Sequence, residues 1–145
     1  MAITTSQHQL VFQPLEDIAQ FFLHEWQQTH DHGSRQACAA LTHDRLIVTI
    51  HDALTESERQ MTASAPGRVM VRRYINEIVN NLYPRLASYV ESRLDCFVAA
   101  SDVDVTADGS SVEFCIELRD VSRMPTMIEP LTACVGQSVS LTKVA

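Results

Sequence analysis

The strongest constraint on the fold is a turn signal, Asp108-Gly109, in the second half of the chain. Asp-Gly between segments of alternating apolar and polar residues is typical of a β-hairpin, because glycine readily adopts a positive φ. The two flanking segments, residues 96–105 and 111–118, alternate in this way. The pattern predicts an antiparallel hairpin at this place in the chain.

A second hairpin is predicted earlier in the chain, from two short apolar runs at residues 35–41 and 46–51. The residues between them tolerate turns. After this hairpin, Thr55 is followed three residues later by Glu58, which is the spacing of a capping box. We therefore expect a short helix that begins there and ends before Pro66.

Two further segments have the apolar spacing of amphipathic helices. The first begins with Pro14, which suits the first helical position, and ends at about Thr29. The second begins near Gly67, and its wide apolar stripe predicts burial against a sheet and against a second subunit. Pro84 lies inside this second pattern and predicts a kink or break near residues 80–81. The stripe of the second helix consists of Val71, Ile75, Ile78, Leu82 and Leu86, widened by Tyr74, Val79, Tyr89 and Val90.

This order of elements predicts an α+β fold with two layers. The sheet is expected to be mostly antiparallel and four-stranded, built from the two β-hairpins, with the helices on one face. We expect three regions: a flexible N-terminal arm at residues 1–13, a single α+β domain at 14–120, and a C-terminal tail at 121–145.

Composition narrows the classes of function. The chain has 145 residues and a formal charge of −7, which makes nucleic acid an unlikely partner because nucleic acids favour a basic face. No window holds the roughly 18 apolar residues of a membrane span, so we expect a protein that does not cross the membrane. Since the N-terminus does not resemble a signal peptide, the expected location is cytoplasmic. The four cysteines are expected to be reduced and mostly buried.

No motif predicts catalysis. The chain contains neither a glycine-rich phosphate loop nor a G-x-S-x-G elbow, so we expect no catalytic residues and no cofactor. His30, His32 and Cys38 carry donor atoms that suit zinc, which leaves a metal-dependent enzyme as an alternative. The simpler interpretation is a polar helix end with histidines near the negative pole of the helix dipole, so no metal site is predicted.

Basic residues concentrate in residues 59–73, which hold four of the eleven in the chain. Arg68 and Arg72 are four residues apart and therefore share one helix face, with Arg73 beside them. Together with the positive end of the helix, these side chains could bind a small oxyanion or an acidic partner surface. The other interpretation is a solvated face on which Arg73 pairs with Glu77.

The order of motifs resembles a known family. Gly33-Ser34-Arg35 precedes the first hairpin, a Leu54-Thr55-x-x-Glu58 step follows it, Gly67 begins the long helix, and Pro84 interrupts it. With the second hairpin, residues 33 to 119 are similar to the MpsC-like family, labelled a component of a Na+-translocating membrane-potential-generating system. The family's Gly-Lys-Gly-Pro-like turn is here Gly33-Ser34-Arg35-Gln36, so the lysine is missing and Arg35 is the candidate to substitute for it.

The resemblance implies a soluble accessory or regulatory protein without catalytic residues. It links the protein to membrane-potential generation and to inorganic-carbon or cation uptake. The implied work is binding: to a second copy in a homodimer, to the cytoplasmic face of a membrane transporter or another protein, or to a small anion such as bicarbonate. A small-oxyanion sensor built on Arg35, Arg68, Arg72 and Arg73 is the alternative function.

Overall fold

The structure is a computed structural model. It describes residues 2–30, 36–121 and 131–136, with side chains from residue 13 onward. The elements in chain order are α1 (Ala2–Thr29), β1 (Gln36–Thr42), β2 (Arg45–His51), α2 (Glu56–Met61), α3 (Ala65–Leu94), β3 (Phe97–Val105), β4 (Val112–Arg119) and β5 (Leu131–Gly136). All strand pairs are antiparallel, in the spatial order β3-β4-β2-β1-β5. The predicted α+β class and both hairpins are confirmed.

The predicted number of strands is wrong, because the sheet has five strands and not four. The additional strand, β5, pairs with β1 over residues 131–136, with Ala133 opposite Ala39. This segment lies within the predicted tail. No turn signal connects it to a neighbouring strand, since its partner lies about 95 residues earlier in the chain, so local patterns could not reveal the pairing.

The helix boundaries also differ from the expectation. Helix α1 begins at Ala2 rather than at Pro14, which lies inside it. Helix α3 is one helix through Pro84, without the predicted break. Leu82 and Leu86 on either side of that proline are both buried, and this packing offsets the hydrogen bond that proline removes. The division into arm, domain and tail stays a prediction.

The core lies between the helices and one face of the sheet. Alternate residues of β1, β2 and β4 are buried on that face, which is the period of two expected of strands. Phe22 of α1 meets Phe114 of β4 edge to face, with ring centroids 5.1 Å apart. Each large apolar side chain buried here contributes about 1.5–3 kcal/mol.

Helices α1 and α3 run antiparallel beside each other. Three contacts recur at four-residue intervals: Asp17–Arg93, Phe21–Tyr89 and Glu25–Arg85. The aromatic rings of the middle contact are stacked at 4.1 Å. Tyr89, one of the residues that widen the apolar stripe of α3, therefore packs within the same chain, whereas Tyr74, another of them, is exposed.

Candidate functional site

Residues 52–68, which run from the end of β2 through α2 into the first turn of α3, form a bend that we call the elbow. Its shape is set by side chains that bond to the backbone. Thr55 Oγ1 accepts from the backbone N–H of Glu58, and the Glu58 carboxylate accepts from that of Thr55, which completes the predicted capping box. The N–H of Gly67 donates to Ser64 Oγ at 3.1 Å. Leu54 is buried at the start of the elbow.

The elbow makes three attachments to the rest of the fold, two to the second hairpin and one to the end of α1. Ala53 N–H donates to the carbonyl of Ser110, in the turn of the second hairpin, at 2.9 Å. At the other end of the elbow, Arg68 donates to the carbonyls of Val105 and Thr106 at 2.8 and 3.0 Å. The elbow therefore holds the second hairpin at two points.

The third attachment is to the end of α1. His30 is buried, and its Nε2 lies 3.1 and 3.2 Å from the two carboxylate oxygens of Glu58. Its ring stacks on Trp26 at 4.9 Å and lies 6.3 Å from Tyr74 of α3. Glu58 thus serves both the capping box and the contact with α1.

At two positions only glycine fits, because another part of the chain lies too close for a Cβ atom. A Cβ on Gly67 would lie 2.0 Å from the carbonyl oxygen of Met61. Gly109 has a φ of 74°, and a Cβ there would lie 2.3 Å from Thr62 Oγ1. Of the motif residues behind the family resemblance, those in the elbow therefore maintain the fold. Pro84 is exposed on α3, and Gly33 lies outside the described residues.

The predicted arginine site is spread over separate contacts. Arg68 binds the two hairpin carbonyls, while Arg72 Nε pairs with Asp104 Oδ1 of β3 at 3.0 Å. Arg73 is exposed, and Arg35 lies outside the described residues. The structure does not bring Arg68 and Arg72 to a common acceptor, and the oxyanion site stays a prediction.

The prediction that all cysteines are reduced is wrong for two of them. Cys38 and Cys134 face each other across β1 and β5 and form a disulfide. Because the two cysteines are 96 residues apart in the chain, no short spacing motif predicted their pairing. Cys96 and Cys115 are free, and burial, with Glu91 and Asp95 nearby, raises the pKa of Cys96 to about 11.

The disulfide also bears on the metal hypothesis, since Cys38 cannot act as a thiolate ligand in this state. His30 Nε2 is directed at Glu58, and His32 lies outside the described residues. In the part of the chain that the structure describes, no cluster of three or more His, Cys, Asp or Glu side chains could hold a metal ion.

The second face of the sheet, opposite the core, is the candidate binding surface, which we call the open face. Side chains on this face of β1, β2 and β4 are half-buried or exposed, in contrast to the buried positions between them. Its centre is the cross-strand row of Cys115, Ile47 and Ala40. This row is neutral and half-buried.

The open face becomes acidic towards β3. Glu113 and Glu117 of β4 are exposed there, together with Asp102 of β3, which lies opposite Cys115. Arg45 is the cross-strand neighbour of Glu117 and supplies the opposite charge at one point. This surface was not predicted from the sequence, although the alternation of acidic and apolar residues at 113–117 is a signal for it.

Residues 16–116 match the family model described as "Na+-translocating membrane potential-generating system (MpsC)". The match runs from the second half of α1 into β4. No curated protein and no solved structure matches the chain. Among the described residues, no helix combines the length and apolar character needed to cross a bilayer.

Proposed function

Because the chain belongs to the MpsC family, we propose that it is a non-catalytic accessory or regulatory component of a membrane-potential-generating system, and that it acts by binding. The family match over residues 16–116 carries this proposal. The proposed location is cytoplasmic, at the inner surface of the membrane.

The open face supports binding as the mode of action. Its neutral centre at Ile47 and Ala40 would pack against a partner, and its acidic side at Glu113 and Glu117 would attract basic residues. Cytoplasmic loops of membrane proteins carry an excess of Lys and Arg. A membrane transporter of the same system therefore has the charge that this face requires.

A homodimer is the second part of the proposal. Val69, Met70 and Tyr74 are exposed on the first half of α3, by 55%, 61% and 47%. Exposed apolar side chains close together are typical of contacts between protein chains. Light scattering at micromolar concentration is expected to give twice the mass of one chain, and Met70→Lys is expected to lower it towards the monomer. A monomer at all concentrations would refute this part.

The experiment for the main proposal removes the gene and measures the membrane potential with a voltage-sensitive dye under an imposed Na+ gradient. We expect the Na+-dependent potential to fall in the deletion strain and to return with the wild-type gene. Ile47→Arg, at the centre of the open face, is expected not to restore it. Asn81→Arg, at an exposed position of α3, is the matched control and should restore it.

A second readout is growth at low inorganic carbon, which tests the link with bicarbonate uptake. If the deletion strain keeps the full Na+-dependent potential and also grows normally at low inorganic carbon, the proposed function is wrong. If Ile47→Arg restores both as well as Asn81→Arg does, the open face is not the surface used.

A further inference from the structure

The outer side of β3, which faces away from β4, is an edge of the sheet. Some of its backbone groups are hydrogen-bonded and others are not. The N–H of Thr106, just after β3, donates to the carbonyl of Ser111 at 2.9 Å, so this residue directs its backbone towards β4. Backbone groups alternate in direction along an antiparallel strand. Ser101, Val103 and Val105 therefore direct their N–H and C=O groups away from the sheet.

Both ends of this edge are closed by side chains. At one end, the N–H of Val105 donates to the Asp104 carboxylate at 2.7 Å, and its carbonyl accepts from Arg68. At the other end, before the irregularity at residue 99, the N–H of Val98 donates to Glu91 at 2.9 Å.

Between these ends, the outward backbone groups of Ser101 and Val103 make no hydrogen bond to any residue that the structure describes. Two donors and two acceptors are therefore available at adjacent outward positions. This is the arrangement that an added β-strand requires. We call residues 101–103 the edge window.

A cavity lies on the core side of the edge window, between β3 and α3. It has a volume of about 80 Å³, and Ser101 and Val103 are among its lining residues. Val79, Phe114 and Ile116 give it apolar walls. One water molecule needs only about 10–15 Å³ of such space, so the cavity has room for a short apolar side chain.

The other side of the edge window belongs to the open face. Asp102, between the two outward-directed residues, lies opposite Cys115 and lines a shallow hollow with Glu117. Asp102 and Glu113 are exposed carboxylates without an ion pair in the described part of the chain, whereas Asp104 is paired with Arg72. A side chain placed beside Asp102 would therefore be favoured by a positive charge.

We propose that the edge window binds an extended segment of a partner protein as an added strand, with a basic residue opposite Asp102 and apolar residues on either side of it directed to the cavity. Residues of an added strand alternate between the two faces, so this register follows from the positions of the cavity and the carboxylates. The inference deepens the proposed function, on which it rests, by naming the strand and the partner chemistry.

A second copy of the chain is a poorer occupant. Two β3 edges paired antiparallel about their centres would place Asp102 of each copy close to the other. Like charges facing each other across strands are destabilising. A basic and apolar segment satisfies the same backbone groups without this repulsion.

The first experiment measures amide hydrogen exchange in the full chain. The N–H groups of Ser101 and Val103 are expected to exchange at least about a hundredfold faster than that of Asp102, which is directed at β4. The same two N–H groups should become protected when a probe peptide is added. Protection of both in the free chain would mean that the edge window is already covered, which overturns the proposal.

The second experiment measures binding of labelled seven-residue peptides by fluorescence anisotropy. The probe alternates Lys and Val, and two controls replace either every Lys with Glu or every Val with Ser. We expect the probe to bind at least about tenfold more tightly than either control, since each control removes one of the two recognised features. Equal binding of probe and controls, or no binding of the probe at about 1 mM, refutes the proposal.

Variants of the chain test the site itself. Ser101→Pro removes one outward N–H while leaving the pairing with β4 intact, and it should weaken probe binding by about tenfold. Ser101→Ala keeps the N–H and should bind normally, while Asp102→Asn should remove the preference for Lys over Glu. Unchanged binding by both Ser101→Pro and Asp102→Asn refutes the site. If these binding tests fail while the deletion strain loses its membrane potential, the edge window alone is rejected. If the probe binds as expected while the deletion strain keeps its membrane potential, the proposed function is rejected.

Discussion

The disulfide between Cys38 and Cys134 permits a quantitative prediction about stability. It closes a loop with a sequence separation of 96 residues. In the chain-entropy treatment, a loop of this length lowers the entropy of the unfolded chain by about 16 cal/mol/K, which corresponds to about 4.7 kcal/mol of stability at 25 °C. Reduction of the disulfide should therefore lower the free energy of unfolding by up to this amount.

The assay is urea unfolding followed by circular dichroism, with and without a phosphine reductant. With a urea m-value of about 2 kcal/mol/M, the loss corresponds to a midpoint about 2 M lower. Cys134→Ser should unfold like the reduced wild type and should not respond to reductant. Cys115→Ser, which changes a free cysteine on the same face, should respond as the wild type does.

Thiol titration of the unfolded, non-reduced chain provides the independent check. Two of the four cysteines are free in this structure, so two thiols are expected. Four titratable thiols, or a midpoint that reductant leaves unchanged, would refute the reasoning. Exchange of the β5 amides should also quicken on reduction, because β5 is an edge strand that the disulfide joins to β1.

Three further predictions concern single residues. With its pKa raised to about 11 from 9.0, Cys96 should react with iodoacetamide at pH 8 about a hundredfold more slowly than an ordinary thiol, and peptide mapping of the alkylated chain would measure this. Hydrogen bonds from Thr106, and to a smaller extent from Ser110, lower the pKa of Asp108 to about 2. This carboxylate therefore stabilises the fold above pH 4, and its contribution is lost as the pH falls towards 2. The difference in melting temperature between the wild type and Asp108→Asn should shrink over that range. Gly109→Ala should destabilise the chain by about 1–3 kcal/mol in urea unfolding, through its positive φ and its clash with Thr62, and equal stability would contradict both causes.

Features that neighbouring residues determine were predictable from the sequence. The capping box of Thr55 and Glu58 has the predicted bonds, and Gly109 has the positive φ that its turn requires. Each depends on a few adjacent residues whose chemistry leaves little choice of conformation. The second hairpin followed from the turn signal at Gly109, and the first from its two short apolar runs.

The arginines show what neighbouring residues do not determine. The spacing of Arg68 and Arg72 correctly places both on α3 and predicts that they act together. Their acceptors come from β3 and the turn after it, more than 30 residues later, and nothing near the arginines identifies those acceptors. In this structure Arg68 and Arg72 hold the second hairpin against the helix, and the oxyanion site stays a prediction.

The β3 edge of the sheet explains why the proposed edge window could be identified only from the structure. The alternating Asp102 and Asp104 are a sequence signal for an edge strand, because charges at an edge discourage unwanted pairing. The sequence does not show that Asp104 is paired with Arg72 while Asp102 has no such partner among the described residues, nor that Arg68 and Glu91 close the two ends of the edge. Closed ends limit added pairing to a short segment, which protects the edge against general aggregation and leaves only the proposed edge window for a partner with matching charge.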